Sequence, residues 1–243
     1  MPLNESSATL SEIVADTIRT DLRGGVYRCG DKLAELTLSK EMSISQNTAR
    51  DALYLLIAEG WLVKRPRYGI TVRQFTSVSA EELFTIWGTL EKLVLQWVMT
   101  TITHAEIAHI RRLITIARDQ ATYGHARDMQ VTRFEIHHFL LTLANKPQTT
   151  ALLNQIYNQV WLLEVMRMHY APRNAIHHRD MLNHYEAICR AMSERDLRGA
   201  QEVMVALILD DVKPFLPVLD LIGHGEFADL DTSSQPENPE QPD

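Results

Sequence analysis

A mainly α fold in two parts is what this 243-residue sequence predicts: a small helical unit closed by a two-stranded hairpin, then an all-helical antiparallel bundle. Three observations carry that reading. Between Thr9 and about Phe75, short runs of helical period end in two β-like runs. From Ser79 to about Ile222, apolar residues recur at helical spacing almost throughout. From Gly223 the chain reads GHGEFADLDTSSQPENPEQPD, with six acids, three prolines and no Lys or Arg. Such a segment cannot bury enough apolar surface to offset its ordering entropy, so a disordered acidic tail is expected. The organisation therefore reads as 1–75, 76–222 and a tail over 223–243.

Within the first part, Thr9-Leu10-Ser11-Glu12 forms a plausible capping box opening a helix with Leu10, Ile13, Val14, Ile18 and Leu22 on one face. Gly24-Gly25 ends it. A second helix runs from about Leu33 to Met42, with Leu33, Leu36 and Leu38 as inward candidates. After the turn Ser43-Ile44, Ser45 caps a third helix, Gln46 to Glu59, with Ala49, Leu53 and Leu56 inward and Gly60 as its stop. Trp61 to Lys64 and Ile70 to Arg73 read as strands joined through Arg65-Pro66-Arg67-Tyr68-Gly69, where Pro66 fixes φ and Gly69 tolerates a positive one. Helix, helix, short turn, helix and a basic wing is the outline of a winged helix-turn-helix that binds DNA. The polar face supports it: Gln46, Asn47, Thr48 and Arg50 follow the cap Ser45, and Gln, Asn and Arg can read base edges while Thr suits a phosphate. Arg67, Tyr68 and Gly69 form the tip of the wing.

Composition is consistent with a soluble globular chain and excludes little else. The net charge of −7 argues at first against nucleic acid, but residues 1–75 hold 10 Lys/Arg against 9 Asp/Glu. Lys64, Arg65, Arg67 and Arg73 crowd into ten residues without an acid, and phosphate contacts are short-range. Cys29 and Cys189 match no metal or redox spacing and read as reduced thiols. With no signal peptide and no long apolar run, a cytoplasmic protein without a membrane partner is expected.

At this point the sequence resembles the GntR family of bacterial transcriptional regulators. Leu33-Ala34-Glu35-Leu36-Thr37-Leu38-Ser39 and Ile44-Ser45-Gln46-Asn47-Thr48-Ala49-Arg50-Asp51-Ala52-Leu53 follow its DNA-binding pattern without a gap, and Arg67-Tyr68-Gly69-Ile70-Thr71-Val72 follows its wing. The family usually has arginine where Leu36 and Gln46 stand, so the resemblance implies DNA binding at an operator unlike the common one. Ser79 to about residue 215 resembles the helical FCD sensor domain of the FadR branch. Ser79-Ala80-Glu81-Glu82 is expected to cap its first helix, with Leu83, Ile86, Leu90, Leu93, Val94 and Trp97 inward, and six or seven helices in all. The resemblance implies a homodimer assembled through this domain.

Many such domains hold a divalent metal through Asp-x-x-x-His and two later histidines, and the metal anchors a carboxylate effector. Aligned on that pattern, this chain has Arg133, His137, Tyr185 and Leu207, so no family-type metal and no cofactor is expected. His138, His177, Asp180 and His184 are a conceivable substitute cluster, because 177, 180 and 184 share a helical face; ordinary surface or core histidines are the plainer reading. Arg133 can take the metal's place, gripping an effector carboxylate while His137 and Tyr185 donate hydrogen bonds and Trp87 lines the pocket. The plainer alternative leaves Arg133 exposed or paired with Asp128 or Glu135. These readings converge on a regulator, in the first place a repressor, bound to operator DNA and responsive to an organic acid. An adaptor with a degenerate DNA-binding domain and a metal-dependent hydrolase are the alternatives; the chain lacks a phosphate loop, a nucleophile elbow and further His/Asp pairs for the latter.

Overall fold

The computed structural model describes residues 8–223. The acidic stretch expected to be disordered lies, beyond Gly223, outside the described residues.

Helix α1 (Leu10–Gly24) opens on the expected capping box: Glu12 N donates to Thr9 Oγ1 at 3.3 Å, and Thr9 N donates to Glu12 Oε2 at 2.6 Å. Val14, Ala15, Ile18 and Leu22 are buried, but Leu10 and Ile13 are about half exposed (54% and 52%). The inward stripe is set by Val14–Ile18–Leu22 at a spacing of four, which rotates Leu10 and Ile13 to the flank. Helix α2 (Glu35–Glu41) starts two residues later than its apolar spacing suggests. Leu33 is buried ahead of it, and Leu36, expected inward, is exposed. Helix α3 (Gln46–Ala58) is capped where expected: Thr48 N donates to Ser45 Oγ at 3.0 Å.

The wing is the antiparallel pair β1 (Leu62–Arg65) and β2 (Gly69–Val72), with Leu62 opposite Val72 and Arg65 opposite Gly69. Gly69 has φ 89°, as its turn position requires, and Arg67 also lies at positive φ (67°). A third extended segment was not legible in the sequence. Gly30 N donates to Val72 O (3.0 Å), Val72 N to Asp31 O (2.8 Å) and Leu33 N to Ile70 O (3.0 Å), so residues 30–33 cover the free edge of β2.

Four residues after β2 the helical part begins. It comprises α4 (Ser77–Val98), α5 (His104–Thr122), α6 (Ala126–Ala144), α7 (Pro147–Tyr170), α8 (Ala175–Ser193), α9 (Leu197–Val212) and, after a 3-10 turn at Lys213–Phe215, α10 (Leu216–Gly223). The cap of α4 is Thr76 rather than Ser79. Ser79 instead supplies the returning side chain of the box, its Oγ accepting from Thr76 N at 2.9 Å. Helix α4 packs against α6, α7 and α9, α5 packs against α6 and α8, and α8 packs against α9. Phe84, Trp87, Leu95, Leu163, Tyr185, Met204 and Phe215 fill the centre.

The two parts meet along α7. Gln155 Nε2 donates to Ala58 O (2.8 Å), Asn158 Nδ2 to Glu59 O (3.0 Å), Trp161 Nε1 to Arg23 O (3.4 Å), and Arg127 of α6 to Gly24 O (2.7 Å). These amide, indole and guanidinium donors satisfy the carbonyls left over at the ends of α1 and α3. Gly60 sits under this seam at φ 87°, and a Cβ there would stand 3.2 Å from Gln155 O and 3.1 Å from Gln159 Nε2. Gly60→Ala should therefore destabilise the chain by roughly 1–2 kcal/mol through left-handed strain alone. Chemical denaturation measures it, and an unchanged midpoint would show that the left-handed φ at residue 60 carries no such strain.

Candidate functional site

The first candidate site is the outer face of α3 with the wing. Ser45, Gln46, Asn47 and Arg50 are exposed, and Thr48 is half-buried with its hydroxyl 2.7 Å from that of Ser45. The first turn of α3 carries no acid. Arg67 and the largely exposed Tyr68 (72%) stand at the wing tip beside Gly69. Two features of this face are new. Glu35, at the start of α2, receives Arg50 through Nε (3.1 Å) and Nη2 (2.9 Å), and among the described residues Nη1 takes no part in the pair. The shared bond raises the Arg50 pKa and lowers that of Glu35. Tyr54 and Lys64 also join α3 to β1, with Lys64 Nζ donating to Tyr54 OH at 3.0 Å. Arg73, counted with the basic wing, is instead half-buried at its root and donates to Gly60 O at 3.0 Å.

The second candidate lies inside the helical part, where Trp87, Arg133, His137 and Tyr185 are all buried. Glu91 holds Trp87 and His137 together directly, and Tyr185 through His137, and was not named as a site residue from the sequence. Its Oε1 accepts from Trp87 Nε1 (2.9 Å), Tyr157 OH (2.7 Å) and His137 Nδ1 (2.8 Å), and His137 Nε2 lies 2.8 Å from Tyr185 OH. Burial pushes the Glu91 carboxyl upward, but His137 and the surrounding donors outweigh it and keep the pKa low. The carboxylate is therefore ionised and acts only as an acceptor toward these groups. An acid at position i+4 from a tryptophan on an inward helical stripe was the available signal.

One helical turn away, Arg133 is neither exposed nor paired with Asp128 or Glu135. Its Nη2 donates to Asp211 at 3.2 Å and its Nη1 to Gln130 at 2.7 Å. Asp211, near the end of α9, also receives Arg167 (3.2 Å), Arg173 (2.9 and 2.7 Å) and His177 (3.1 Å), while Arg173 grips Glu164 at 2.6 and 2.9 Å. Asp211 thus occupies the place where an effector carboxylate was expected. Burial raises the carboxyls of Asp211 and Glu164, and the arginines more than reverse it, holding both below the ordinary range. This donor set does not fit the metal implied by resemblance. Arg133 places a cation, already engaged, at the first ligand position, and Leu207 has no donor atom at the last. Of the substitute cluster, His177, Asp180 and His184 line one cavity of about 270 Å³ with Asp210 and Asp211, and His138 lines another. Among the described residues, no three His, Cys, Asp or Glu side chains are grouped to hold a metal.

Removing Asp211 should be expensive, because three buried guanidinium groups would share Glu164 alone. Asp211→Asn is expected to destabilise the fold by about 3–5 kcal/mol, read by denaturant unfolding. Both carboxyls are depressed relative to the unfolded chain, so their contribution is complete above about pH 4 and is lost progressively as the pH falls below it. The variant should show a shallower loss of stability over that acid range than the parent. Parallel curves would mean that the cluster contributes no net charge coupling.

Comparison with known proteins places these observations. Residues 10–72 match the model of bacterial regulatory proteins of the gntR family, and residues 82–210, more than half of the chain, match that of the FCD domain. The HTH-type transcriptional regulator McbR of Escherichia coli (strain K12) is 19% identical over 205 residues, covering 82% of this chain and 89% of McbR. The uncharacterized HTH-type transcriptional regulator YdhC of Bacillus subtilis (strain 168) is 20% identical over 144 residues, covering 58% of this chain and 64% of YdhC, so that match spans less than two thirds of its relative. Among solved structures, E. coli McbR/YncC superposes with a TM-score of 0.72 at 16% identity, over 88% of this chain and 98% of that one. A GntR regulator from Rhodococcus sp. RHA1 gives 0.70 at 21% identity, over 85% and 97%. These likenesses share the fold, in which no described helix is long and apolar enough to cross a membrane. The chain belongs to the GntR family of DNA-binding bacterial transcriptional regulators, a family without enzymatic activity, in the branch that carries an FCD domain.

Proposed function

We propose that the protein is a cytoplasmic, homodimeric repressor that binds a roughly palindromic operator and whose affinity for it is altered by an organic acid. The observation that carries the DNA half of this reading is the exposed row Gln46, Asn47 and Arg50 at the capped, acid-free start of α3. The N-terminal end of such a helix enters the major groove, where these side chains meet adenine and guanine edges. Thr48 and the helix N-terminus suit a phosphate, and Arg67 and Tyr68 reach the flanking backbone or minor groove from the wing. Leu36 replaces a common cation of the family, so fewer phosphates are neutralised. Repression needs nothing further, since occupancy of the operator itself obstructs a promoter.

Dimer formation is supported by α4. Ile86 (44% exposed), Leu90, Leu93 (39% exposed) and Trp97 recur at spacings of four, three and four, an apolar stripe left on the outside of the bundle. A second copy of the same stripe covers it symmetrically. The organic acid is supported by the cations of the helical part. At Arg133 such an acid would have to displace Asp211; at the cations near the seam no internal carboxylate is displaced.

Selection of bound fragments from the source genome with purified protein should recover a short palindrome. Arg50→Ala should weaken binding to it by on the order of tenfold to a hundredfold while leaving random DNA nearly unaffected. Equal loss on both would make Arg50 a phosphate contact, and random recovery would sink operator recognition itself. The paired substitution Ile86→Glu with Leu93→Glu should halve the mass seen in sedimentation equilibrium and leave the melting temperature near that of the parent. A dimer that persists would move the interface elsewhere.

A further inference from the structure

Among the described residues, two cations at the seam between the domains have no carboxylate ion-pair partner. Arg23, in the last turn of α1, sets its guanidinium 5.5 Å from the ring centre of Trp61 and 5.7 Å from that of Trp161. Burial against these rings pulls its pKa down. Arg127, in the first turn of α6, spends one Nη2 hydrogen on Gly24 O at 2.7 Å. Among the described residues neither forms an ion pair, whereas Arg19, one turn before Arg23, is shared between Glu59 and Asp16. Both unpaired cations line a cavity of about 470 Å³, a volume in the range of small-molecule sites. The floor of that cavity is aromatic: Phe134, Tyr157 and Trp161 are buried beneath it, with Phe134 4.9 Å from Trp161 and 5.8 Å from Tyr157 in tilted and edge-on contact. His138 stands on the wall, packed edge-on to Tyr157 at 5.0 Å. Desolvation and the nearby His137 and Arg23 lower its pKa, so near neutral pH it is an uncharged hydrogen-bonding group.

We propose that this cavity is a binding site for an aromatic monocarboxylate, with the carboxylate received by Arg23 and Arg127 and the ring laid on Phe134, Tyr157 and Trp161. Guanidinium groups that lack an internal acid offer paired N–H donors at no loss of an existing ion pair. The buried rings offer edges and faces to a planar ligand. Glu135 lines the same space and is exposed, which opposes a second negative charge on the ligand. The site is distinct from the Arg133–His137–Tyr185 core, whose cation is already occupied by Asp211. Its position gives it a further property: Arg23 belongs to the DNA-binding part and the rings of the floor to the helical part. A ligand held by both prefers one relative placement of the two domains over others, and so shifts DNA affinity. That second step rests on the regulator reading above; the binding step does not.

Titration calorimetry of the full chain with phenylacetate, 1-naphthoate and indole-3-acetate tests the site, with phenylacetamide as the uncharged counterpart of the first. Saturable binding of at least one acid, and binding of the amide at least roughly tenfold weaker than that of phenylacetate or absent, are expected. Arg23→Gln and Arg127→Gln should each weaken the acid by roughly tenfold or more, with melting temperatures close to the parent's. No binding of any of the three acids at millimolar concentration, an amide that binds as well as its acid, or variants that bind as tightly as the parent would each overturn the assignment. Retardation of an operator fragment with and without the bound acid tests the second step. A change in affinity upholds the coupling. Binding without such a change upholds the site and overturns the coupling.

Discussion

Asp211 is the point on which the helical part turns. Its carboxylate, almost wholly buried, is reached by arginines from α6, α7 and the segment between α7 and α8, and by His177 at the start of α8. Taking so many charges out of water is costly, and only the density of their mutual contacts offsets it. Three guanidinium groups face two carboxylates, and the nitrogens Arg133 Nε, Arg167 Nε and Arg167 Nη2 find no hydrogen-bond partner among the described residues. The cluster is therefore tied together by attraction around two acids rather than fully satisfied. Removing any one acid from such a core strands a buried cation, which is strongly destabilising. The cluster ties the end of α9, and through it the long contact of α9 with α4, to the rest of the bundle.

Glu91 performs a smaller version of the same task. By collecting Trp87, Tyr157 and His137 on one oxygen, it joins α4, α6 and α7 at the centre, and Tyr185 extends the chain of hydrogen bonds to α8. At the positions that the family resemblance marks for a ligand, Arg133 and His137 are engaged by the protein's own acids, Asp211 and Glu91. Both Glu91 and Asp211 occupy positions that a charge-free core would give to leucine.

The fold was legible to the extent that it follows from period and punctuation. Thr9, Ser45, Gly60, Pro66 and Gly69 mark boundaries because a cap, a left-handed φ or a fixed φ admits few residue types, and the two-strand wing follows from them. Facing was less legible. Leu36, Ile86 and Leu93 satisfy a helical period yet look outward, since periodicity cannot tell a core from a second apolar surface. The edge segment at residues 30–33 escaped because its pairing is set by distant Val72 and Ile70, not by its own composition. At the candidate sites, the polar row on α3 was legible because its residue types differ from those of a merely solvated helix. The partners Glu35 and Asp211 were not, since an ion pair between residues 15 and 78 positions apart leaves no trace in local spacing. Arg133 could be singled out from the sequence, but what it touches could not.

Between Val72, where the wing ends, and Ser77, where α4 starts, only four residues intervene, and Arg73 among them is fastened to Gly60 O. Fully extended, such a tether reaches roughly 14 Å; fastened at one end and capped at the other, it has far less travel. The seam along α7 removes still more freedom. The reading head is accordingly carried less like a tool on a cord than like a bit in a chuck, its pose set by the helix that follows it. For this architecture, grafting a foreign head onto the bundle would preserve aim only if the graft kept both the length of that short connector and the donors on α7 that grip the ends of α1 and α3.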